Sequence, residues 1–198
     1  NEIDHYQKVV DDMNAEEIED LIQKARDFNS TLWGEKYLGI GDDEPDGTNI
    51  MKEGDETYKN ILNVMNNGTI GYLVIDKIDS YITVYHGSTD AVLAAGVGHL
   101  YKTGFPVDSP NSHGILSAHT GLVNSKLFTN LDQMQIGDSF EVHVLDRVYT
   151  YLIDQILIVE PGDLSDLQII YGSNYVTLLT CYPYGINSHR LLVRGVLQ

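Results

Sequence analysis

The chain has 198 residues, 42% of them hydrophobic, enough for one globular domain with a sizeable core. Its formal charge of −17, from 12 Lys and Arg against 29 Asp and Glu, excludes nucleic acid as a partner, because holding phosphates needs clustered cations. The single cysteine excludes an internal disulfide and the multi-cysteine zinc sites, and no run of about 18 apolar residues is present to span a membrane.

The first third reads as helical. Tyr6 to Asp12 predicts a short helix. Asn14 followed by Glu17 has the form of a capping box, which starts a second helix. Ile18, Leu21, Ile22, Ala25, Phe28 and Leu32 then recur at three- and four-residue steps. Such an apolar stripe packs on the domain behind it. Glu16, Glu17, Glu19 and Asp20 crowd the helix start, where the macrodipole favours anions. Gly34 to Glu56 is the least regular stretch and reads as a polar loop. Its Asp42-Asp43-Glu44-Pro45-Asp46-Gly47 raises calcium as a thought, but the EF-hand spacing is missing and a solvated loop is the plainer reading.

From Thr69 the pattern turns to strands. Ile70 to Ile75, Tyr81 to Tyr85 and Gly114 to Ala118 are short β candidates. Phe140 to Leu145 and Val148 to Val159 predict a hairpin around Asp146-Arg147, and Tyr175 to Thr180 and Arg190 to Val196 complete the set. Ala91 to Val97 and Leu127 to Met134 read as helical turns between strands. Thirteen tyrosines and eighteen glycines suit strands and turns. The expectation is a mainly β fold, a closed or nearly closed barrel of seven or eight short strands. It divides into an N-terminal helical segment over 1–33, a connecting or lid-like region over 34–68 and a barrel over 69–198, all in one domain.

Chemistry centres on Cys181, which follows the strand Tyr175 to Thr180. Tyr182-Pro183-Tyr184-Gly185 breaks that strand, and Arg190 opens the next apolar run, Leu191 to Val193. Antiparallel neighbours would set the thiol and the guanidinium side by side at one sheet edge. A lone thiol near a guanidinium, with a histidine from elsewhere, is the outline of a thiol nucleophile; a small buried hydrophobe is the bland alternative. Of the seven histidines His119 is best placed, ending the strand Gly114 to Ala118 just before the turn Thr120-Gly121. His189 directly precedes Arg190, and strand neighbours point to opposite faces. His86 and His99 flank glycines as turn or packing residues, and His5, His113 and His143 have no special context. A zinc site from His113, His119 and Cys181 is conceivable but has no metal-ligand spacing. Arg190 either pairs with a surface carboxylate or donates hydrogen bonds to a thiolate or an oxyanion.

These residues carry a family resemblance. Thr177-Leu-Leu-Thr-Cys181 followed by Arg190 resembles the TLxTC…R signature of sortases, the cysteine transpeptidases of Gram-positive cell envelopes. Ser117-Ala-His119-Thr-Gly-Leu122 resembles their histidine motif. The run from Cys181 to Gly195, with Tyr85-His-Gly87, Gly96-Val-Gly-His-Leu100, Lys126-Leu-Phe-Thr-Asn-Leu131 and Ala25-Arg-Asp-Phe-Asn29, looks like class C, the pilus-building sortases. The resemblance covers nearly the whole chain. It implies a β-barrel of about eight strands with N-terminal helices and a triad of His119, Cys181 and Arg190. In the family the thiolate attacks the Thr–Gly bond of an LPxTG-like sorting signal, and the acyl group passes to an amine. That amine would be a pilin lysine in class C, or a peptidoglycan stem amine in a cell-wall-anchoring sortase. No metal or organic cofactor is implied. The expected partners are LPxTG-bearing pilin or surface proteins, at the outer face of a Gram-positive membrane. The abrupt ends suggest a trimmed chain, so a membrane anchor is expected outside it.

One departure stands out. Class C sortases usually carry a lid anchored by Asp-Pro and an aromatic residue. The corresponding region, about Gly39 to Thr57, offers Asp43-Glu44-Pro45-Asp46 instead, and Trp33 and Tyr37 have no Asp-Pro before them. The expectation is a loop mobile or displaced from Cys181. Hydrolysis by water and a non-catalytic barrel that binds without chemistry remain the alternative readings.

Overall fold

The computed structural model describes residues 1–37, 50–121 and 126–198. Eight strands form a closed barrel: β1 (Thr69–Ile75), β2 (Ser80–His86), β3 (Val97–His99), β4 (Ser112–Ser117), β5 (Ser139–Val144), β6 (Arg147–Val159), β7 (Asn174–Tyr182) and β8 (His189–Leu197). Around the barrel they run β1-β2-β3-β4-β7-β8-β6-β5, and β5 closes on β1. Two neighbour pairs, β2·β3 and β4·β7, are parallel, and the others are antiparallel. The barrel is therefore mixed, and closure leaves it without the long open edge that invites aggregation. The helices are α1 (Glu2–Asp11), α2 (Ala15–Thr31), α3 (Ile50–Glu53), α4 (Glu56–Asn60) and α5 (Asp90–Ala95).

Strand periodicity decides what fills the barrel. Along β7, Val176 and Leu178 point into the main core, while Leu179 faces outward. The outward residues are not left wet. Leu179, Ile115, Leu192 and Leu100 are covered by Tyr37 and Leu167, so this part of the wall is buried on both faces. Two glycines exist to let backbones meet. A Cβ on Gly71 would stand 2.0 Å from the His143 carbonyl oxygen, and one on Gly195 2.6 Å from Cβ of Tyr151, whose ring stacks on Phe140. Neither position admits a side chain.

The helices anchor through buried polar groups as well as apolar stripes. Ile18, Ile22 and Ala25 are buried as the spacing requires. Asn29, on the same helix, is also buried; its side chain bonds the backbone of Phe105 in both directions, at 2.7 and 3.0 Å. The Tyr6 hydroxyl donates to the Ile70 carbonyl and accepts from the Leu145 N–H, each at 2.8 Å, which ties α1 to β1 and to the β5–β6 turn. Glu19 binds Arg26 and Arg147, a further link between α2 and that turn.

Several boundaries differ from the sequence reading, for local reasons. α1 begins four residues before Tyr6 because Asn1 and Asp4 form a capping box of their own. The β5–β6 turn is Leu145-Asp146, one residue earlier than Asp146-Arg147, with Leu145 at φ 55°. Val97 belongs to a three-residue strand and not to the preceding helix, which ends at Ala95 with Gly96 as its C-cap. Residues 50–60, read as loop and connection, contain two short helices, the second capped by Asp55. Residues 38–49, which include the Asp42–Gly47 stretch and part of the lid-like region, lie outside the described residues.

Three buried histidines make the fold sensitive to acid. His99 stacks against both Tyr58 and Phe105, which also contact each other, and its Nε2–H donates to the Gly104 carbonyl at 2.8 Å. His113 donates Nδ1–H to the Gln168 carbonyl and accepts the Thr177 hydroxyl on Nε2. Burial, which disfavours the imidazolium, pushes His99 down to about 3, His113 down to about 4, and His86 below its ordinary value. The unfolded chain therefore binds more protons than the folded one below about pH 6.5, and stability falls as pH drops from there toward the folded values. Each such imidazole removes up to about 1.4 kcal/mol per pH unit. Calorimetry at pH 5.5, above the carboxylate range, is expected to show uptake of two to three protons per chain on unfolding. His99→Phe should reduce that uptake by about one.

Candidate active site

The site is built by strand register. β4 and β7 run parallel with Ser117 opposite Leu179, and the Ala118 N–H continues the ladder to the Leu179 carbonyl at 3.3 Å. Two residues further along lie His119, just past the end of β4, and Cys181 on β7. β7 and β8 are antiparallel, with Cys181 directly opposite Arg190. Neighbouring strands are about 4.8 Å apart, so His119, Cys181 and Arg190 form a row across three strands at one end of the barrel. Cys181 shares the outward face with Leu179, and Arg190 shares it with Leu192. All three residues are partly exposed.

The row is held by the residues beside it. The Thr180 hydroxyl, buried, donates to the Ala118 carbonyl at 2.7 Å. That bond joins the residue before the cysteine to the residue before the histidine. The His119 carbonyl accepts from the Phe128 N–H at 3.1 Å, and Phe128 is fully buried. The His119 imidazole itself has no hydrogen-bond partner among the described residues. Sequence reasoning singled out the three candidate groups but not Thr180, whose signal was only its place before the cysteine.

Arginines on one face of β8 have opposite fates. Arg194 makes a two-pronged pair with Asp154 at 2.9 and 3.0 Å, and its guanidinium lies 4.0 Å over the Tyr175 ring. Arg190 has no carboxylate partner among the described residues. Its Nη1 donates to the carbonyls of Asn187 and His189 at 3.1 and 2.9 Å, leaving Nε and Nη2 without a partner there. A guanidinium fixed by backbone, with open donors beside a thiol, can hold an anion formed on a bound carbonyl.

The other histidines stand elsewhere. His189 pairs with Glu160 at 3.2 Å and with the Ser188 hydroxyl at 2.8 Å. His113 sits at the far end of β4; the stretch from His113 to Ser117 alone spans roughly 13 Å, so it does not join His119 and Cys181 in a metal site. Among the described residues no group of three or more His, Cys, Asp and Glu could hold a metal ion.

Comparison with known proteins identifies the family. The sortase domain family matches residues 73–198, and the chain belongs to the sortase family, the cysteine transpeptidases. Sortase C of Streptococcus pneumoniae is 41% identical and superposes with a TM-score of 0.88, covering 100% of this chain and 97% of that one. Sortase C1 of Streptococcus agalactiae is 36% identical with a TM-score of 0.87, covering 99% and 97%. Sortase A of Corynebacterium diphtheriae reaches a TM-score of 0.84 at 29% identity, over 93% and 86%, so the barrel alone does not separate the classes. A comparison with curated protein sequences finds no match.

The Thr180 bond can be weighed directly. Thr180→Val keeps the shape but leaves the buried Ala118 carbonyl unpaired, at a cost of about 1–2 kcal/mol. Thermal melts should show Tm lower by roughly 2–8 °C, and Thr180→Ser should recover most of it.

Proposed function

We propose that the chain is a class C sortase, a pilin-polymerising transpeptidase in which Cys181 is the nucleophile, His119 the acid and base, and Arg190 the oxyanion holder. The observation that carries this is the register of β4, β7 and β8, which sets the three groups in one row. The substrate is a polypeptide bearing an LPxTG-like sorting signal. The Cys181 thiolate adds to the carbonyl carbon of the Thr–Gly bond. Nε and Nη2 of Arg190 donate to the oxygen that becomes negative. The C–N bond breaks, the leaving amine takes a proton from His119, and a thioester remains on Cys181. The incoming amine, a lysine of another pilin subunit, then attacks the thioester. It gives its proton to His119, the C–S bond breaks and the thiolate returns. The two half-reactions are mirror images at one site, so one histidine serves both. The place of action is the outer surface of a Gram-positive cell.

The resemblance to class C supports the pilin lysine over a cell-wall amine. Mass spectrometry after incubation with an LPxTG-type peptide should show a covalent adduct on Cys181, absent in Cys181→Ala; an unmodified thiol would refute the nucleophile. Arg190→Lys should lower kcat/KM by about 10²–10³-fold, because a point charge replaces a rigid fork of donors. In competition, a pilin subunit with its lysine should resolve the adduct faster than a peptidoglycan stem peptide. The reverse order would move the chain to the cell-wall-anchoring reading.

A further inference from the structure

The β7–β8 connection carries an aromatic ring that the reaction above does not use. Tyr184 lies three residues past Cys181 and is 60% exposed. Its contact is with the histidine loop. A Cβ placed on Gly121 would stand 3.0 Å from one edge carbon of the Tyr184 ring and 3.4 Å from its Cζ and hydroxyl oxygen. The ring therefore leans on the bare Cα of Gly121, two residues past His119. Gly121 has φ +73°, so glycine is needed there for the conformation as well as for the space.

Both ends of this contact lead to the reacting groups. The Gly121 N–H donates to the Thr129 hydroxyl at 3.1 Å, next to the buried Phe128 whose N–H holds the His119 carbonyl. On the other side the Pro183 carbonyl accepts from the N–H groups of Ile186 and Asn187 at 3.1 and 2.9 Å, making a tight turn with Tyr184 inside it. The carbonyl of Asn187 in turn fixes Nη1 of Arg190. No ring hydrogen bond orients His119 among the described residues, so its placement depends on the loop that carries it. We propose that Tyr184 is a positioning residue: its ring, packed on Gly121, sets the spacing between the His119 loop and the loop that joins Cys181 to Arg190. The proposal rests on the reading of His119 and Cys181 as the reacting pair. It explains why so large a ring is held in the open at this spot.

Kinetics and a substrate-free probe together test it. Tyr184→Ala should lower kcat about tenfold with KM for the peptide within twofold, as expected when geometry and not binding is lost. Its Tm should stay near that of the unaltered protein, because the ring is exposed. The pH midpoint for alkylation of Cys181 by iodoacetamide should move, since that rate reports how closely His119 stands by the thiol. Tyr184→Phe keeps the ring and should behave as the unaltered protein. Gly121→Ala should impair kcat through both backbone strain at its positive φ and the clash with the ring, and the clash part of that loss should disappear when it is added to Tyr184→Ala. Unchanged kcat and an unchanged alkylation profile in Tyr184→Ala would overturn the proposal. So would a Tyr184→Phe loss as deep as that of Tyr184→Ala, or losses at 121 and 184 that simply multiply. If the unaltered protein transfers no acyl group at all, the transpeptidase reading fails, while the alkylation profile still decides what Tyr184 does.

Discussion

Everything at the site depends on one constraint, the pairing of β7 with two neighbours of opposite sense. Its parallel partner β4 carries His119 past its end, and its antiparallel partner β8 brings Arg190 back across from Cys181. Side chains alternate along a strand, so a slip of one residue in either pairing would turn one of these side chains to the other face. The register is fixed because both faces of β7 are buried: Val176 and Leu178 fill the barrel while Leu179 lies under Tyr37 and Leu167. Core packing is thus what aligns the chemistry.

The rest of the molecule supports that alignment from a distance. α1 and α2 hold the barrel through Tyr6 and Asn29, whose polar atoms reach backbone groups that strands leave unpaired. Tyr58, His99 and Phe105 stack into a dry cluster against the same wall. Keeping imidazoles neutral there costs stability in acid. The formal charge of −17 sits mostly on exposed carboxylates and shapes solubility and the approach of cationic partners.

Much of this was legible in the residues. Apolar alternation marked most of the strands, the three-four spacing marked α2, and the Cys181–Arg190 step with the His119 motif pointed to the candidate site. What escaped was short or cooperative. β3 has three residues, too few for a pattern, and exists because β2 and β4 flank it. α3 and α4 lack apolar periodicity and are set by the Asp55 cap and by docking. The hairpin turn fell on Leu145 because Tyr6, some 139 residues away in sequence, accepts its N–H and tertiary packing outweighs local turn preference.

The sequence by itself determined the fold class and the family and singled out three candidate side chains, because these rest on local periodicity and on residue types at short spacing. Only the tertiary structure decided which arginine is available. Arg190 and Arg194 stand on one face of one strand, and Asp154 on β6 claims Arg194 while Arg190 keeps open donors. It also decided how the loops meet, with Thr180 bonded to Ala118 and Tyr184 resting on Gly121. Those contacts join residues some 60 positions apart. Their partners are chosen by barrel closure, which no local pattern encodes.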